Sequence, residues 1–372
     1  MIKLNQLIMR FYFFIILLFF ISCKNDNSKE VNAESKNTGL VINDTLNISL
    51  SNGIPVPKKV YYRSFSPKGF NFTYPSKDKV FLYDYNLDKK KWDIKSLPFE
   101  GRNGIIKIGF YEKFISPSRL LYFPYGVNRL LLFDENYKLL KSYDFSEGYT
   151  LSFPMRFNCY LNNDIVYFPS LTQEAYVNFN NFTNTRLITK LNLKTGKKEQ
   201  IIKVPDDFNQ YQSMTMFDMS PEFVFPDDMT IVFIMRKSPY IYKYDISSKK
   251  LEKFKYPNEY IYYSKDDINR GHKDTGYMFE KGFYHSLVYD KKNKKYYRFS
   301  QFNENPDREN PGGKYNKTRI DVFDENFNYL KHRDFDNLDA DYYFVNGNGL
   351  YILSKVMEKE NILTFYHISI SD

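Results

Sequence analysis

One strand pattern recurs along almost the whole chain and constrains its fold more than any other feature. Each copy is a run of mainly apolar or alternating residues that ends at an acidic or amide residue, and a polar turn follows most copies. The copies are residues 80–84, 130–134, 188–192, 240–245, 320–324 and 367–372. Most of them lie about 50 residues apart, which is typical of four-stranded propeller blades. The sequence therefore predicts an all-β fold, a six-bladed β-propeller of four-stranded antiparallel blades.

A second apolar run precedes each copy and supplies another strand of the same blade. These runs are residues 70–74, 120–123, 165–168, 230–235, 296–299 and 350–353. Three of them stop at Pro75, Pro124 and Pro169, and proline lacks the N–H group that a strand ladder needs. We therefore expect the second strand to end at the proline in those three blades.

The last copy of the pattern predicts how the ring closes. This copy stops at Asp372, where the outermost strand of the sixth blade would begin. We expect an N-terminal strand, residues 40–43 or 46–50, to complete the last blade, because this pairing removes a bare sheet edge. The alternative fold is a β-sandwich with a similar number of strands. Six copies at a shared spacing favour the propeller.

The start of the chain has the pattern of a bacterial lipoprotein signal. Lys3 and Arg10 precede an apolar run at residues 11–21, and Ser22 stands before Cys23 as in a lipobox. The run is shorter than the about 20 residues that a transmembrane helix needs. We therefore predict a signal peptide at residues 1–22 and lipidation of Cys23. A flexible lipid tether then covers residues 23–37, and the propeller covers residues 38–372.

This signal also predicts where the protein is located in the cell and which classes of partner it can meet. We expect an outer membrane-anchored lipoprotein, on the periplasmic side or at the cell surface, that contacts the membrane through its N-terminal lipid and is a monomer. Cys159 is the only other cysteine, so lipidation of Cys23 leaves it without a disulfide partner. The net charge is +9, but the lysines are spread among turns rather than gathered on one helix. We therefore predict no nucleic-acid partner.

Several short motifs give the chain a recognisable likeness. They are the Cys23 lipobox, the strand pair from Tyr289-Asp290 through Tyr296-Tyr297-Arg298-Phe299, and the terminal Gly349-Leu350-Tyr351-Ile352 followed by residues 362–370. In these motifs the chain resembles lipoproteins of the domain-of-unknown-function 4221 family, which are TolB-like six-bladed propellers of Bacteroidota. The resemblance covers essentially the whole mature chain. It implies a fold and an address, and it implies no activity.

Three long segments between the predicted strands are candidates for ligand binding. They are residues 169–186, 256–282 and 301–317, and propeller topology places all three on one face. The candidate ligand-binding residues on these segments are Arg186, Arg270, His272, Arg308 and Tyr315, with Glu304, Asp307, Glu309, Tyr176 and Tyr262 on the same loops, and Arg236 in the shorter loop of the fourth blade joins them. Arginine offers a planar fork for carboxylate or phosphate, and tyrosine offers an apolar plate with a polar tip. We expect a peptide, a glycan or an envelope protein as the ligand.

Patterns that indicate catalysis are scarce. The chain has only four histidines, and it lacks a nucleophile elbow, a phosphate-binding glycine loop and a zinc-binding histidine pair. We therefore predict no catalytic residue, no metal site and no cofactor, and interpret the chain as a binding or protein-interaction module. One alternative is a hydrolase or lyase with acid and base residues at the mouth of the central channel. The other is a scaffold that binds an envelope protein through the lysine-bearing turns.

Overall fold

The structure is a computed structural model of the 372-residue chain. It describes residues 28–30, 39–50, 53–55, 62–66, 69–98, 110–116, 119–124, 128–134, 136, 138–145, 149–150, 159–172, 185–208, 220–261, 282–303, 317–346, 348–355 and 361–370. The predicted signal peptide and Cys23 lie outside these residues.

Regular structure in the described residues is almost entirely β-strand. The strands are β1 (Ser28–Glu30), β2 (Leu40–Ser49), β3 (Tyr62–Ser66), β4 (Gly69–Pro75), β5 (Lys79–Asn86), β6 (Lys91–Pro98), β7 (Phe110–Ser116), β8 (Arg119–Pro124), β9 (Arg129–Asp134), β10 (Leu139–Asp144), β11 (Tyr149–Thr150), β12 (Tyr160–Asn162), β13 (Ile165–Pro169), β14 (Leu171–Thr172), β15 (Arg186–Asn192), β16 (Lys198–Lys203), β17 (Glu222–Asp227), β18 (Thr230–Ile234), β19 (Tyr240–Asp245), β20 (Leu251–Lys255), β21 (Phe283–Asp290), β22 (Lys295–Phe302), β23 (Lys317–Asp324), β24 (Tyr329–Phe335), β25 (Leu338–Asn346), β26 (Gly349–Ser354) and β27 (Ile362–Ile370). One 3₁₀ helix, Asp206–Phe208, follows β16. None of the helical structure in the described residues has the length and apolar character of a membrane span. The predicted all-β class is confirmed.

The strands pair into six antiparallel groups of four within the described residues. In chain order the sheets are β3 to β6, β7 to β10, β12-β13-β15-β16, β17 to β20, β21 to β24, and β25-β26-β27-β2. We number them the first to the sixth sheet. Two further pairings occur, because β1 adds in parallel to the outer edge of β20 and β11 pairs with β14. The predicted antiparallel four-stranded sheets are confirmed, and the described strands do not form the two large sheets of a β-sandwich.

The recurring sequence pattern marks the third strand of each sheet, and the preceding apolar run marks the second. The second strands β4, β8 and β13 end at Pro75, Pro124 and Pro169, as the sequence predicts. In the first five sheets an acidic or amide residue at the end of the third strand holds the turn that follows, whereas Asp372 of the sixth copy lies outside the described residues. Asp134 Oδ1, for example, accepts the backbone N–H groups of Asn136 and Lys138, both at 2.9 Å. The pattern recurs in these five sheets because each of their outer hairpins needs a side-chain acceptor at the same place.

The prediction for the first copy is wrong by two residues. Asp84 lies inside β5, paired with Asp93 of β6. Asn86 ends the strand instead, and its Oδ1 accepts the backbone N–H of Lys89 at 2.9 Å. The run of tyrosine and phenylalanine residues simply continues for longer in this sheet.

The N-terminal strand β2 completes the sixth sheet. It pairs antiparallel with β27 from Leu40 opposite Ile370 to Ser49 opposite Ile362. A register shift falls between Ile42 and Asp44, so Asn43 is the extra residue of a bulge. The expected donor segments, residues 40–43 and 46–50, both belong to this one long strand. Only Leu50, the last residue of the second segment, lies beyond the end of β2.

Apolar clusters lie between successive sheets. Rings of Phe123 and Phe168 meet edge-on at 5.6 Å between the second and third sheets. Phe72 of the first sheet and Phe365 of the sixth belong to one buried cluster. The first strands of the sheets also approach one another: β17 contacts β21, β21 contacts β25, β25 contacts β3, and β3 contacts β7. The sixth sheet therefore packs on the first as well as on the fifth.

Candidate functional site

The candidate site lies where chain segments enter the first strands of the sheets. Arg236 follows β18 in the short connection to β19, and it is 6% exposed. Its guanidinium lies over the ring of Phe283, 5.1 Å from the ring centroid. Phe283 is the first residue of β21, and the backbone N–H of the next residue, Tyr284, donates to Arg236 O at 2.8 Å. Arg236 of the fourth sheet is thus fixed against the first strand of the fifth.

His285 continues this arrangement on β21. Its ring stacks on Phe283 with a centroid distance of 5.2 Å. A register shift between Tyr284 and Ser286 takes His285 out of the regular ladder. His285 Nδ1 lies 2.8 Å from the hydroxyl oxygen of Ser286, which is fully buried. A bulge of this kind can turn a side chain away from the direction that the strand alternation would give it.

Asp341 on β25 meets His285 from the sixth sheet. His285 Nε2 lies 3.2 Å from Asp341 Oδ1, and the Asp341 side chain is 47% exposed while that of His285 is 7% exposed. The ladder of β25 is interrupted between Asp339 and Tyr343, which leaves Asp341 within an irregular stretch. Its backbone N–H donates to Asp339 Oδ1 at 3.0 Å. The carboxylate of Asp341 is therefore reachable by a ligand, and the imidazole supports it from behind.

We name Arg236, Phe283, His285 and Asp341 the inner row. It crosses the fourth, fifth and sixth sheets through contacts of 5.1, 5.2 and 3.2 Å. The neutral histidine tautomer that satisfies both neighbours carries its proton on Nε2, donates to Asp341 and accepts from the Ser286 hydroxyl. In this state the inner row presents an exposed anionic acceptor beside an apolar ring. Such a pair suits hydroxyl or amine groups attached to an apolar body.

A buried ion pair fixes the fifth sheet on the fourth next to the inner row. Arg298 donates to Asp321 Oδ2 from Nε at 3.0 Å and from Nη2 at 2.8 Å. It also donates to the backbone oxygen of Tyr256 at 2.8 Å, and its guanidinium lies 4.4 Å from the centroid of the Tyr284 ring. Tyr256 follows β20 of the fourth sheet, so the pair crosses the same sheet boundary that separates Arg236 from Phe283.

A second buried arginine lies near the outer edge of the fifth sheet. Arg319 donates to both carboxylate oxygens of Asp334 and to both of Glu259, at 2.6 to 2.9 Å. Burial opposes ionisation of Glu259, but the hydrogen bonds from Arg319 outweigh it and hold the pKa of Glu259 below its ordinary value. Burial also opposes the charge of Arg319, and the two carboxylates reverse this effect and raise the pKa of Arg319. Arg298 and Arg319 are fully engaged and act as structural residues.

The structure places the predicted ligand-binding residues in different regions. Arg236 belongs to the inner row. Arg186 is exposed and lines a cleft at the boundary of the third and fourth sheets, together with Lys203 and Tyr244. The remaining predicted residues are Arg270, His272, Arg308 and Tyr315, with Glu304, Asp307, Glu309, Tyr176 and Tyr262, and all of these lie outside the described residues.

Sequence reasoning missed three members of the inner row: Phe283, His285 and Asp341. The largely apolar and aromatic sequence of β21 indicates a regular strand, and it gives no sign of the bulge at His285. The only signal that could have indicated these residues is their position, because β21 and β25 are the first strands, in chain order, of the fifth and sixth sheets. As for metals, no group of three or more His, Cys, Asp or Glu side chains in the described part of the chain is arranged to hold an ion.

Comparison with known proteins places the chain in a family context. The sequence model of the family described as Domain of unknown function (DUF4221) matches residues 37–333. The comparison with curated proteins finds no match.

Solved structures extend this likeness to the fold. The crystal structure of a DUF4221 family member from Bacteroides vulgatus is 14% identical, covers 91% of this chain and 100% of that chain, and has a TM-score of 0.71. A putative exported protein from Bacteroides fragilis is 10% identical, covers 93% of this chain and 99% of that chain, and has a TM-score of 0.56. A virginiamycin B lyase from Staphylococcus aureus is more distant, with 12% identity over 87% of this chain and 98% of that chain and a TM-score of 0.43. The first two likenesses support a shared fold.

Proposed function

The chain belongs to the family described as Domain of unknown function (DUF4221), and from this premise we propose that it is a lipid-anchored, six-bladed β-propeller of TolB-like type that binds a ligand of the cell envelope. The ligand is a peptide, a glycan or an envelope protein. It binds at the inner row, near the entrance to the central channel of the propeller.

The arrangement of the sheets supports the propeller. The described residues contain six groups of four antiparallel strands, and their order along the chain is their order in space wherever contacts between first strands are present. The contact of β25 with β3 and the shared cluster around Phe72 and Phe365 bring the sixth sheet against the first. A ring of six blades requires contacts between the sixth and the first sheet, whereas a linear stack of sheets would keep these two sheets apart. In this proposal β2 closes the ring.

The inner row carries the proposal for binding. The single most telling observation is that Arg236, Phe283, His285 and Asp341 touch in sequence although they come from three different sheets. Ligand sites on scaffolds of this kind form where loops and strand ends from several repeats converge. The exposed carboxylate of Asp341 accepts ligand hydroxyl or amine groups, and Phe283 and the ring of His285 offer apolar surface. Arg236 fixes the position of Phe283.

The lipid anchor follows from the sequence of the signal region. Cleavage before Cys23 and acylation of this residue leave a polar segment between the lipid and Leu40, the first residue of β2. The test is the variant Cys23→Ser, followed by fractionation of cells into membrane and soluble parts. We expect the variant to leave the membrane fraction. An unchanged membrane fraction contradicts lipidation of Cys23.

A binding screen tests the inner row. The secreted form without its lipid is titrated with envelope peptides and glycans, and each ligand found is measured again with Asp341→Asn, with Arg236→Lys and with the control Asp88→Asn. Asp88 is an exposed aspartate in the turn between β5 and β6. Loss of one hydrogen bond to a charged acceptor weakens binding by about tenfold or more, so we expect Asp341→Asn to show this loss.

The outcome for Arg236→Lys depends on shape as well as charge. Lysine keeps the positive charge but loses the planar group that stacks on Phe283, so we expect a smaller loss of affinity than for Asp341→Asn. The control should bind like the wild type. If Asp341→Asn and Arg236→Lys both retain wild-type affinity for every ligand found, the site lies elsewhere. Repeating the measurement with Arg270→Ala and Arg308→Ala then tests the long loops.

A hydrolase or lyase is the second candidate function, and the pairing of His285 with Asp341 favours it. A histidine held 3.2 Å from a partly exposed carboxylate can serve as an acid or a base. Incubation of the wild type with the bound ligand, followed by mass analysis, tests this candidate. We expect His285→Gln to abolish product formation while binding persists. Recovery of the intact ligand after prolonged incubation with the wild type rejects the enzyme.

A further inference from the structure

A second concave site lies at the boundary of the third and fourth sheets, apart from the inner row. It is a cleft of about 230 Å³ whose lining includes the polar residues Arg186, Lys203, Asp206, Tyr244 and Lys249 and the apolar residues Ile202 and Val204. Its lining residues come from the outer hairpin of the third sheet, from the segment after β16, and from the outer hairpin of the fourth sheet. No member of the inner row lines it.

The rim of the cleft is cationic. Arg186 and Lys203 are directly opposite each other on β15 and β16, and Lys249 lies in the turn between β19 and β20. All three side chains are exposed, and within the described part of the chain none of them forms a salt bridge. Three cations and one carboxylate, that of Asp206, line the cleft, and the carboxylates of Glu199 and Asp245 lie within electrostatic reach of Tyr244. Like charges brought together at a surface repel one another, and an anion between them relieves this repulsion.

The floor of the cleft is apolar and fixed. Ile202, Val204 and Tyr244 are buried, at 2%, 2% and 8% exposure. Ile202 has a φ angle of +60°, which a β-branched residue rarely adopts, so the surrounding packing holds this part of the floor in place. Burial raises the pKa of the Tyr244 hydroxyl, the charge of Arg186 acts against this rise, and the charges of Glu199 and Asp245 add to it. The guanidinium of Arg186 therefore lies within electrostatic reach of the ring, as do these two carboxylates.

We propose that this cleft binds a small anionic sugar, a single ring that carries a phosphate or a carboxylate. The volume is below the about 300 Å³ at which sites for drug-sized ligands begin, which limits the occupant to about one ring with its substituents. Arg186 offers a planar fork for the anionic group, and Lys203 and Lys249 add charge beside it. The body of the ring lies on the apolar floor, and the carboxylate of Asp206 accepts a ring hydroxyl.

Calorimetric titration of the full chain in detergent tests this site. The probes are glucose 1-phosphate, glucuronate, inorganic phosphate and glucose, each at low salt. We expect one or both anionic sugars to bind, inorganic phosphate to bind about tenfold more weakly, and glucose to give no signal, since both the charge and the ring contribute. Binding should weaken as salt is raised, because the rim is exposed to solvent.

Four variants locate the bound sugar. Arg186→Ala should weaken the affinity for the sugar about tenfold or more, since the substitution removes a charge-assisted pair of hydrogen bonds. Lys249→Asn should weaken the affinity for the sugar several-fold. Asparagine tolerates the φ angle of +57° at this position, so this variant retains the turn. Arg129→Ala is the matched control, because Arg129 is the exposed first residue of β9 just as Arg186 is the first residue of β15. Asp341→Asn in the inner row should bind the sugar like the wild type.

Three results overturn the proposal. The first is a lack of binding by both anionic sugars. The second is inorganic phosphate binding as tightly as glucose 1-phosphate, which removes the role of the ring. The third is a wild-type affinity for the sugar in Arg186→Ala together with a loss of this affinity in Asp341→Asn, which would show that the sugar binds at the inner row.

Discussion

Arg298 and Asp321 form a buried ion pair across two neighbouring strands, with Arg298 Nη2 and Asp321 Oδ2 2.8 Å apart. Their side chains are only 1% and 4% exposed. The backbone oxygen of Tyr256 and the rings of Tyr284 and Phe323 surround the guanidinium. The arginine therefore joins the fourth and fifth sheets by polar and aromatic contacts at one point.

Loss of the carboxylate should strongly destabilise the fold. Asp321→Asn leaves the charge of Arg298 buried without a counter-ion, so we expect the free energy of unfolding to fall by about 3 to 5 kcal/mol. Urea titration measures this change. The control Glu252→Gln breaks an ion pair of the same 2.8 Å length with Lys250 at the surface, and it should have a much smaller effect. The double variant Arg298→Met, Asp321→Leu should regain part of the loss. A double variant less stable than Asp321→Asn contradicts this account.

The pairing of β2 with β27 should be sensitive to proline at one position and tolerant at another. Ile48 is fully buried and lies opposite Leu363, so Ile48→Pro removes a packed side chain and a ladder N–H. We expect a loss of about 3 kcal/mol or more in the free energy of unfolding. Asn43 is the exposed bulge residue of the same strand, and Asn43→Pro should cost far less. Equal thermal midpoints for the two variants would argue against a regular β2–β27 ladder in solution.

Acid should weaken the fold partly through Asp245 and Glu259. Hydrogen bonds from the backbone N–H of Ser248 and the hydroxyl of Ser247 lower the pKa of Asp245 to about 2. Because the pKa is lower in the folded state, the stabilisation is complete above the unfolded value of about 4 and is lost as the pH falls towards 2. Glu259 acts in the same direction. Urea midpoints measured from pH 7 to pH 2 should therefore decrease at the acid end.

Substitution separates the contribution of Asp245 from the general effect of acid. Asp245→Asn should make the decrease between about pH 4 and pH 2 shallower, because the group no longer titrates. Asp88→Asn, in an exposed turn of the first sheet, provides the comparison. An identical acid profile for Asp245→Asn and wild type would show that this turn contributes nothing to the pH dependence.

Cys159 should report on unfolding through its reactivity. This cysteine is only 4% exposed, within the cluster between the second and third sheets. In the Cys23→Ser background, we expect a thiol reagent to label the chain slowly in buffer and rapidly in denaturant, since a buried thiol is protected. Rapid labelling without denaturant, in a chain whose spectrum is that of the folded protein, would mean that the cluster opens locally.

The strands were predictable from the sequence because each has a local cause. Tyr, Phe, Ile and Leu alternate with polar residues, proline ends three second strands, and an acidic or amide side chain holds the outer turn of the first five sheets. The displacement from Asp84 to Asn86 in the first sheet shows where local reasoning fails. Either residue can hold a turn, and the length of the paired strand decides between them.

The inner row was not predictable for a related reason. Arg236 was found because it stands in a short loop between two clear strands. His285 and Asp341 lie in the interior of strands, and only the interruptions of β21 and β25 bring them together. A bulge depends on the partner strand, on the neighbouring sheet and on the twist between them, so its position is a property of the assembled fold rather than of a short window of residues.

The union of β2 with β27 has a consequence for how a newly made molecule matures. Synthesis delivers β2 long before its partner β27 emerges. Until that moment the early strand has no template, and the final sheet keeps an open flank on which another chain could add. Completion of the sixth sheet therefore waits for β27, and β2 needs protection from aggregation until its partner is made.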